Sequence, residues 1–367
     1  MMTTGFRGVL VACALMALAA CSPSDQPVVH VYNWSDYISE DVIERFEEQT
    51  GIRVVYDVYD ANEILEAKLL AGRSGYDVIF PTAHPFAERH IQAGLYRPLD
   101  FSLLPHRENL DPILTTKLAS VDPGNRFTVP YMWGTTGIGY NVTRVTEILG
   151  EDAEFDTWSL LFDPEIAEQL AGCGIAMLDD EGEALAAALL YLGIDPNSTD
   201  PEDIEAATET FLQVRPYIRY FHASKYINDL ANGDLCVAHG YSGDVIQARD
   251  RAEEVGRGVE VDYRIPREGA VLWFDLMAIP ADAPNPENAH AFIDFLMVPE
   301  NIAEITNEVA YANANAAATP WVDAAIRDDP GVYPTQDLRE RLVTLDSLPD
   351  DIQRARVRAW TQIKTGR

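Results

Sequence analysis

The chain has 367 residues, which is too long for one small core and predicts two packed lobes. Hydrophobic residues make up 47% and charged residues 23%, a globular composition that excludes large disordered tracts. The 59 Asp and Glu residues outnumber the 27 Lys and Arg residues and give a net charge of −32. Such a field repels phosphate backbones, so we expect no nucleic-acid partner and favour cationic small molecules.

The first twenty residues predict a signal peptide that directs export to the periplasm. Arg7 supplies the positive start, and residues 9–20 form an apolar run too short to span a bilayer comfortably. The cleavage region, Leu18-Ala19-Ala20-Cys21-Ser22, resembles a bacterial lipobox, in which Cys21 would be acylated. The alternative is simple cleavage at the small residues without a lipid. Residues 21–27 are expected to form a short N-terminal tether.

The mature chain then alternates strand and helix patterns. The predicted elements are a strand at 28–33, a helix between Ser39 and Gly51, a strand at 53–56, a helix at 62–71, a strand at 78–80 and a helix at 86–93. After about residue 134 the pattern returns, with a buried helix at 184–192 and strands at 235–239 and 271–279. This order predicts α/β lobes with mainly parallel sheets flanked by helices. Because no clean linker separates the halves, we expect the chain to cross between lobes more than once.

Two cysteines remain in the mature chain after Cys21, namely Cys173 and Cys236. An even pair in an oxidising compartment favours one disulfide. Both lie beside apolar strand-like stretches, so neighbouring strands could bring them together. Two buried thiols are the alternative.

Aromatic residues and acids recur together at the predicted strand ends, where ligands bind in open α/β sheets. The first strand leads into Trp34-Ser35-Asp36-Tyr37, another into Tyr241 and Asp244, and a third carries Trp273 and Asp275 on one face, while Thr82 adds a hydroxyl. Carboxylates accept charge-assisted hydrogen bonds from ammonium groups, and aromatic faces attract cations by about 0.5–2 kcal/mol per contact. The pattern therefore indicates a ligand with ammonium groups on an apolar stem.

Each pair taken alone has a simpler interpretation. Asp36 and Asp244 are typical of helix caps or solvated turns, and Trp34 and Trp273 are typical of core residues. Asp275 is the exception, because an acid inside an apolar strand requires a partner.

Enzymatic patterns are weak in this sequence. It contains no G-x-S-x-G, P-loop or H-E-x-x-H motif, and its histidines lack metal-ligand spacing, so we expect no metal and no cofactor. His84 and His90 are expected at the surface. Asp36 and Asp275 could form a glycosidase pair, but the sequence does not fix their separation.

Six stretches resemble the periplasmic polyamine-binding proteins of bacterial ABC importers, especially the putrescine-binding branch. They are YNWSDYI (Tyr32–Ile38), VYDVYDANEILEAKLLAG (Val55–Gly72), YMWGTTGIGYN (Tyr131–Asn141), YINDLANGD (Tyr226–Asp234), YANANAAATP (Tyr311–Pro320) and RAWTQIKTG (Arg358–Gly366). The resemblance implies a non-catalytic, two-lobed clamp that closes on a polyamine and delivers it, as a monomer, to an inner-membrane permease. It implies a first lobe of residues 28–133 plus about 266–315, and a second of residues 134–265 plus about 316–367.

The resemblance also implies a ligand site and a disulfide. Its residues are Trp34, Ser35, Asp36, Tyr37, Thr82, Asp180, Glu183, Tyr241, Asp244, Trp273, Asp275 and Tyr311. Cys173 and Cys236 match the disulfide pair of the putrescine branch.

Departures from the putrescine-binding pattern bear on specificity. Trp273 and Asp180 stand where spermidine-binding members place a Trp and an additional acid, Tyr241 replaces a Trp, and the loop at His84-Pro85 is one residue longer. With five carboxylates available, we expect spermidine to bind more tightly than putrescine. The alternatives are a putrescine-preferring receptor and a polyamine-sensing lipoprotein that does not transport.

Overall fold

The computed structural model describes Met1 and residues 26–366 of the chain. The predicted signal peptide and Cys21, the predicted acylation site, lie outside the described residues apart from Met1. Among the helices it does describe, none has both the length and the apolar character needed to cross a membrane.

The described residues form a mixed α/β architecture. The strands are β1 (Val28–Trp34), β2 (Arg53–Tyr59), β3 (Val78–Ile79), β4 (Thr128–Asn141), β5 (Ile175–Met177), β6 (Ile218–Phe221), β7 (Val237–Tyr241), β8 (Val261–Arg264), β9 (Ala270–Ala278), β10 (Ala312–Asn313) and β11 (Leu342–Val343). The helices are α1 (Glu40–Thr50), α2 (Asn62–Ala71), α3 (Glu88–Gln92), α4 (Pro112–Leu118), α5 (Val142–Leu149), α6 (Ser159–Phe162), α7 (Pro164–Leu170), α8 (Glu181–Tyr191), α9 (Pro201–Val214), α10 (Lys225–Ala231), α11 (Ser242–Val255), α12 (Pro286–Leu296), α13 (Pro299–Val309), α14 (Ala324–Arg327), α15 (Gln336–Arg339) and α16 (Asp350–Thr365).

The strand and helix alternation predicted for the first part of the chain is confirmed from β1 to β3. The predicted helix at 86–93 differs, because a turn over Ala83–Ala87, in which His84 has an extended backbone (φ −107°, ψ 139°), precedes the shorter helix α3. The predicted strand at 235–239 lies two residues later as β7, which carries Tyr241 to the end of the strand.

The strands at the two ends of the sheet pair in parallel, and the strands in its middle pair antiparallel. The strand order is β2-β1-β3-β9-β4-β7-β5-β6, and β1 is parallel to β2 and β3, as β5 is to β6 and β7. Strand β9 is antiparallel to both β3 and β4, and β4 is antiparallel to β7. This arrangement is consistent with the expected two-lobed fold, with β4 and β9 running between its halves.

Strand β4 is the longest strand among the described residues, and its fourteen residues are all buried. Its glycines weaken the strand pattern in the sequence, which is why this element was not predicted. At Gly137 a Cβ atom would lie 2.5 Å from the carbonyl oxygen of Arg264, so the close approach of β8 requires glycine there. The lobe boundary expected at residues 133 and 134 falls inside β4, and the division into lobes stays a prediction.

The helices cover the sheet and bury an extensive core. Helix α8 shows this most clearly, because every residue from Glu183 to Leu190 is buried. The prediction of a buried helix in this region is confirmed. The first residues of α8 nevertheless reach the cavity described below.

The predicted disulfide is present between Cys173 and Cys236, whose Cα atoms are 5.4 Å apart. It ties the start of β5 to the start of β7 across 63 residues of chain. A crosslink of this span restricts the unfolded chain more than the folded one.

We expect the double substitution Cys173→Ala and Cys236→Ala to lower the free energy of unfolding by about 2–5 kcal/mol. Urea denaturation followed by far-UV circular dichroism measures this loss. Reduced wild-type protein is the matched control and should lose a similar amount. Equal stability of all three forms would contradict a stabilising crosslink.

Candidate functional site

A cavity of about 500 Å³ lies where several strands end and the four helices α2, α8, α11 and α16 begin. Eleven of the twelve residues expected in a ligand site line it: Trp34, Ser35, Tyr37, Thr82, Asp180, Glu183, Tyr241, Asp244, Trp273, Asp275 and Tyr311. They come from sequence positions up to 277 residues apart, so the fold brings together what the sequence shows only as separate pairs.

Asp36 is the exception, because it is not among the residues that line the cavity. Its backbone has a φ of 53°, and its exposed side chain accepts a hydrogen bond of 3.0 Å from Nη2 of Arg251. Arg251 also donates to Asn228 and Gln247. The left-handed turn therefore directs Asp36 away from the cavity lining, whereas Ser35 and Tyr37 line it. The proposed pairing of Asp36 and Asp275 as glycosidase acids consequently has no common cavity.

Asp275 lies inside β9 and is only 4% exposed. Thr82 donates a hydrogen bond of 2.7 Å to Oδ1 of Asp275, and Asn62 holds Thr82 through bonds to its hydroxyl and its backbone N–H. Burial raises the pKa of Asp275 to about 7, while the hydrogen bond from Thr82 opposes the rise. The partner of Asp275 is thus the hydroxyl of Thr82. A hydroxyl carries no positive charge, so it does not neutralise the carboxylate.

Asp244 lies in the first turn of α11 and is held by two tyrosines. The hydroxyls of Tyr311 and Tyr226 donate to its two carboxylate oxygens at 2.6 and 2.7 Å. Burial raises the pKa of Asp244 to about 6, although both hydrogen bonds favour the charged form. Tyr226 was missed as a site residue, because it stands in α10 and not at a predicted strand end.

The start of α8 contributes a group of acids on a neighbouring part of the wall. Asp180 caps the helix by accepting a hydrogen bond of 3.0 Å from the backbone N–H of Glu183. Burial raises the pKa of Glu183 well above its ordinary value, and the nearby Asp180 raises it further. Burial also raises the pKa of Glu181 to about 7. Glu63 lines the same cavity from α2, and burial followed by repulsion from Asp180 raises its pKa too.

Aromatic rings form much of the remaining wall. Trp273 makes edge contacts with Tyr241 and Tyr311, at centroid distances of 5.7 and 5.3 Å. Trp34 packs on Tyr59 at 4.5 Å and donates its indole N–H to the carbonyl of Phe80. Tyr59 lines the cavity but was not predicted, although it stands in one of the stretches that resembled polyamine-binding proteins.

His84 and His90, which were expected at the surface, lie in the cavity wall and in the core. His90 is buried and forms a hydrogen bond of 2.7 Å with the hydroxyl of Tyr96. His84 lines the cavity, and its Nδ1 lies 3.4 Å from a carboxylate oxygen of Glu88. The turn around Pro85 brings His84 to the cavity wall, which the sequence pattern did not reveal.

The chemistry of the cavity is that of a cation site with apolar walls. Asp244 and Asp275 have no Lys or Arg partner within the described residues. Two buried carboxylates without an ion-pair partner gain most from a ligand that brings its own ammonium groups. The described part of the chain holds no group of three or more side chains suited to a metal ion.

Close packing around Trp273 depends on a glycine of β4. A Cβ atom at Gly134 would lie 2.6 Å from Cζ2 of Trp273 and 3.1 Å from the hydroxyl of Ser242. The indole therefore occupies the space that any other residue would fill.

We expect Gly134→Ala to displace Trp273 and to lower the free energy of unfolding by about 1–3 kcal/mol. Urea denaturation measures the loss, and near-UV circular dichroism detects the displaced indole. Gly172→Ala is the matched control, because a Cβ atom there meets nothing within 4 Å. Equal effects of the two substitutions would show that crowding of Trp273 is not the cause.

Comparison with known proteins gives a consistent assignment. Residues 41–334 match the family model described as bacterial extracellular solute-binding protein. The chain is 54% identical to the putrescine-binding periplasmic protein SpuD of Pseudomonas aeruginosa, with 94% of each chain covered. It is 52% identical to the putrescine-binding periplasmic protein PotF of Escherichia coli, covering 98% of this chain and 97% of PotF.

A solved structure agrees with these relatives in fold. The putative spermidine/putrescine ABC transporter protein from Listeria monocytogenes is 32% identical and superposes with a TM-score of 0.83. The match covers 93% of this chain and 99% of that one. The family consists of proteins that bind solutes rather than convert them, so the chain is not an enzyme. By sequence and by fold, it belongs to the bacterial extracellular solute-binding protein family.

Proposed function

We propose that this chain is the periplasmic substrate-binding subunit of a polyamine ABC importer, which captures putrescine in the cavity and delivers it to an inner-membrane permease. The observation that carries the proposal is the pair of buried carboxylates, Asp244 and Asp275, fixed by hydroxyl groups and left without a basic partner among the described residues. A diamine supplies two ammonium groups to offset these charges. Its methylene stem packs on the rings of Trp34 and Trp273.

Putrescine is the preferred ligand in this proposal. Relatives named for putrescine are 54% and 52% identical to the chain, whereas the Listeria structure, named for spermidine and putrescine, is 32% identical. These identities do not support the sequence-based expectation that spermidine binds more tightly. The alternative, a putrescine-preferring receptor, therefore replaces it. Trp273 and Asp180, on which that expectation rested, both line the cavity.

Export follows from the same proposal. The relatives SpuD and PotF are named as periplasmic, which supports the signal peptide expected at residues 1–20. Acylation of Cys21 and a monomeric state stay predictions.

Isothermal titration of unfolded and refolded, polyamine-free protein tests the proposed ligand. We expect putrescine to bind more tightly than spermidine. Asp275→Asn should weaken putrescine binding about 10–100-fold, because it removes a charge-assisted hydrogen bond of about 1.5–3 kcal/mol. Glu209→Gln, which changes an exposed acid of α9, is the control and should leave the affinity unchanged. Tighter spermidine binding would restore the original expectation, and binding of neither amine would contradict the proposal.

Affinity for putrescine should depend on pH. Because the pKa of Asp275 is about 7 and that of Asp244 about 6, both carboxyls take up protons as the pH falls through this range. A protonated carboxyl cannot pair with an ammonium group, while amines with pKa values near 10 stay charged throughout.

We therefore expect the affinity to be highest above pH 7 and to fall by more than about tenfold between pH 8 and pH 5. Titrations at constant ionic strength measure this change. Asp275→Asn should show a shallower dependence, because one titrating group is gone. An affinity that stays constant over the range would mean that both carboxylates remain ionised without the ligand.

A further inference from the structure

Three polar side chains beside the cavity lack a hydrogen-bond partner among the described residues. The groups are the indole N–H of Trp273, the hydroxyl of Thr136 and the Oε2 atom of Glu183. All three residues are more than nine-tenths buried, with exposures of 9%, 1% and 7%. A buried polar group without a partner is destabilising, so three of them in one region point to a bound molecule that pairs with them.

Strands β4 and β9 place Trp273 and Thr136 on the same face of the sheet. Gly134 of β4 pairs with Trp273, and Thr136 pairs with Val271, two residues earlier in β9. Cross-strand partners and residues two apart along a strand project to one face, so Thr136 and Trp273 are diagonal neighbours. The Cζ2 edge of the indole, which also carries the N–H, lies over Gly134. The N–H donor is therefore turned toward β4, the strand that carries Thr136.

Glu183 reaches the same region from the first turn of α8. Burial raises the pKa of Glu183 well above its ordinary value, and the nearby hydroxyl of Thr136 opposes part of this rise. The two side chains are thus neighbours, although they form no direct hydrogen bond. Glu183 and Trp273 both line the cavity. One donor and one acceptor are therefore left open in the cavity wall, with the hydroxyl of Thr136 close by.

An ammonium group cannot pair with all of these atoms. It carries N–H donors only, so it can donate to Glu183 but cannot accept from Trp273. A carbonyl or ether oxygen would accept from Trp273 but has no proton to donate to Glu183. A hydroxyl does both, because it accepts through its lone pairs and donates through its O–H. The three groups therefore match a hydroxyl of a ligand, and a water molecule offers the same chemistry.

We propose that the cavity also binds diamines that carry a hydroxyl on the methylene stem, and that Trp273, Thr136 and Glu183 form the hydroxyl-binding site. This inference rests on the proposed function and extends its class of ligands. Asp244 and Asp275 hold the ammonium groups of both kinds of diamine. The hydroxyl takes the position of a water molecule and reproduces its hydrogen bonds, so it costs little affinity.

Isothermal titration with putrescine and with 1,4-diaminobutan-2-ol tests the hydroxyl-binding site. The readout is the ratio of the two dissociation constants, in which effects on the ammonium groups and on the apolar stem cancel. We expect the wild type to bind the hydroxylated diamine within about threefold of putrescine, or more tightly. Trp273→Phe removes the N–H donor and should weaken binding of the hydroxylated diamine about threefold to tenfold relative to putrescine. Thr136→Val keeps the shape of the side chain and should shift the ratio in the same direction.

Trp34→Phe is the matched control. The indole N–H of Trp34 already donates to the carbonyl of Phe80, so it is not available to a ligand. This substitution also exchanges an indole for a phenyl ring in the cavity wall, but it should leave the ratio unchanged. Far-UV circular dichroism checks that each variant is folded. If Trp273→Phe does not fold, Thr136→Val carries the test.

The outcomes separate the two proposals. A wild type that binds 1,4-diaminobutan-2-ol more than about threefold more weakly than putrescine would overturn the hydroxyl-binding site. A ratio that is unchanged in the folded variants, or that shifts equally in the Trp34→Phe control, would also overturn it. Binding of neither diamine by the wild type would overturn the proposed function itself.

Discussion

Two negative charges buried without a basic partner are the constraint around which this protein is arranged. Asp275 and Asp244 are held by hydroxyls of Thr82, Tyr311 and Tyr226, which orient the carboxylates and favour their ionised form but do not neutralise them. Burial still raises both pKa values, so the empty site is electrostatically unfavourable. The folding free energy of the surrounding core maintains this state, and the proposed cationic ligand would relieve it.

The sheet explains how such a site can be rigid. Asp275 and Trp273 project from β9, which pairs on both sides with β3 and β4, and Thr82 bridges directly to Asp275. Tyr241 ends β7, and Asp244 begins the helix that follows it. Because Trp273, Asp275 and Tyr241 stand on strands and Asp244 stands at a helix start, backbone hydrogen bonds fix their positions.

Charge acts at two ranges in this molecule. At short range, carboxylates at the starts of α8 and α11 lie where the helix dipoles partly offset their charge. At long range, a net charge of −32 lowers the energy of an approaching polycation and raises its local concentration near the cavity.

The sequence by itself determined the α/β class, the disulfide pair and the aromatic–acid pairs, because strand and helix periodicity, cysteine number and residue chemistry are local properties. It also identified Asp275 as an acid that needs a partner. It did not reveal β4, whose glycines hide a strand, nor Tyr226 and Tyr59, whose roles depend on residues far along the chain. It placed Asp36 in the site, where a left-handed turn directs the side chain to Arg251 instead. Only the tertiary structure decided these points, because side-chain direction and long-range pairing are set by packing between elements that the sequence keeps apart.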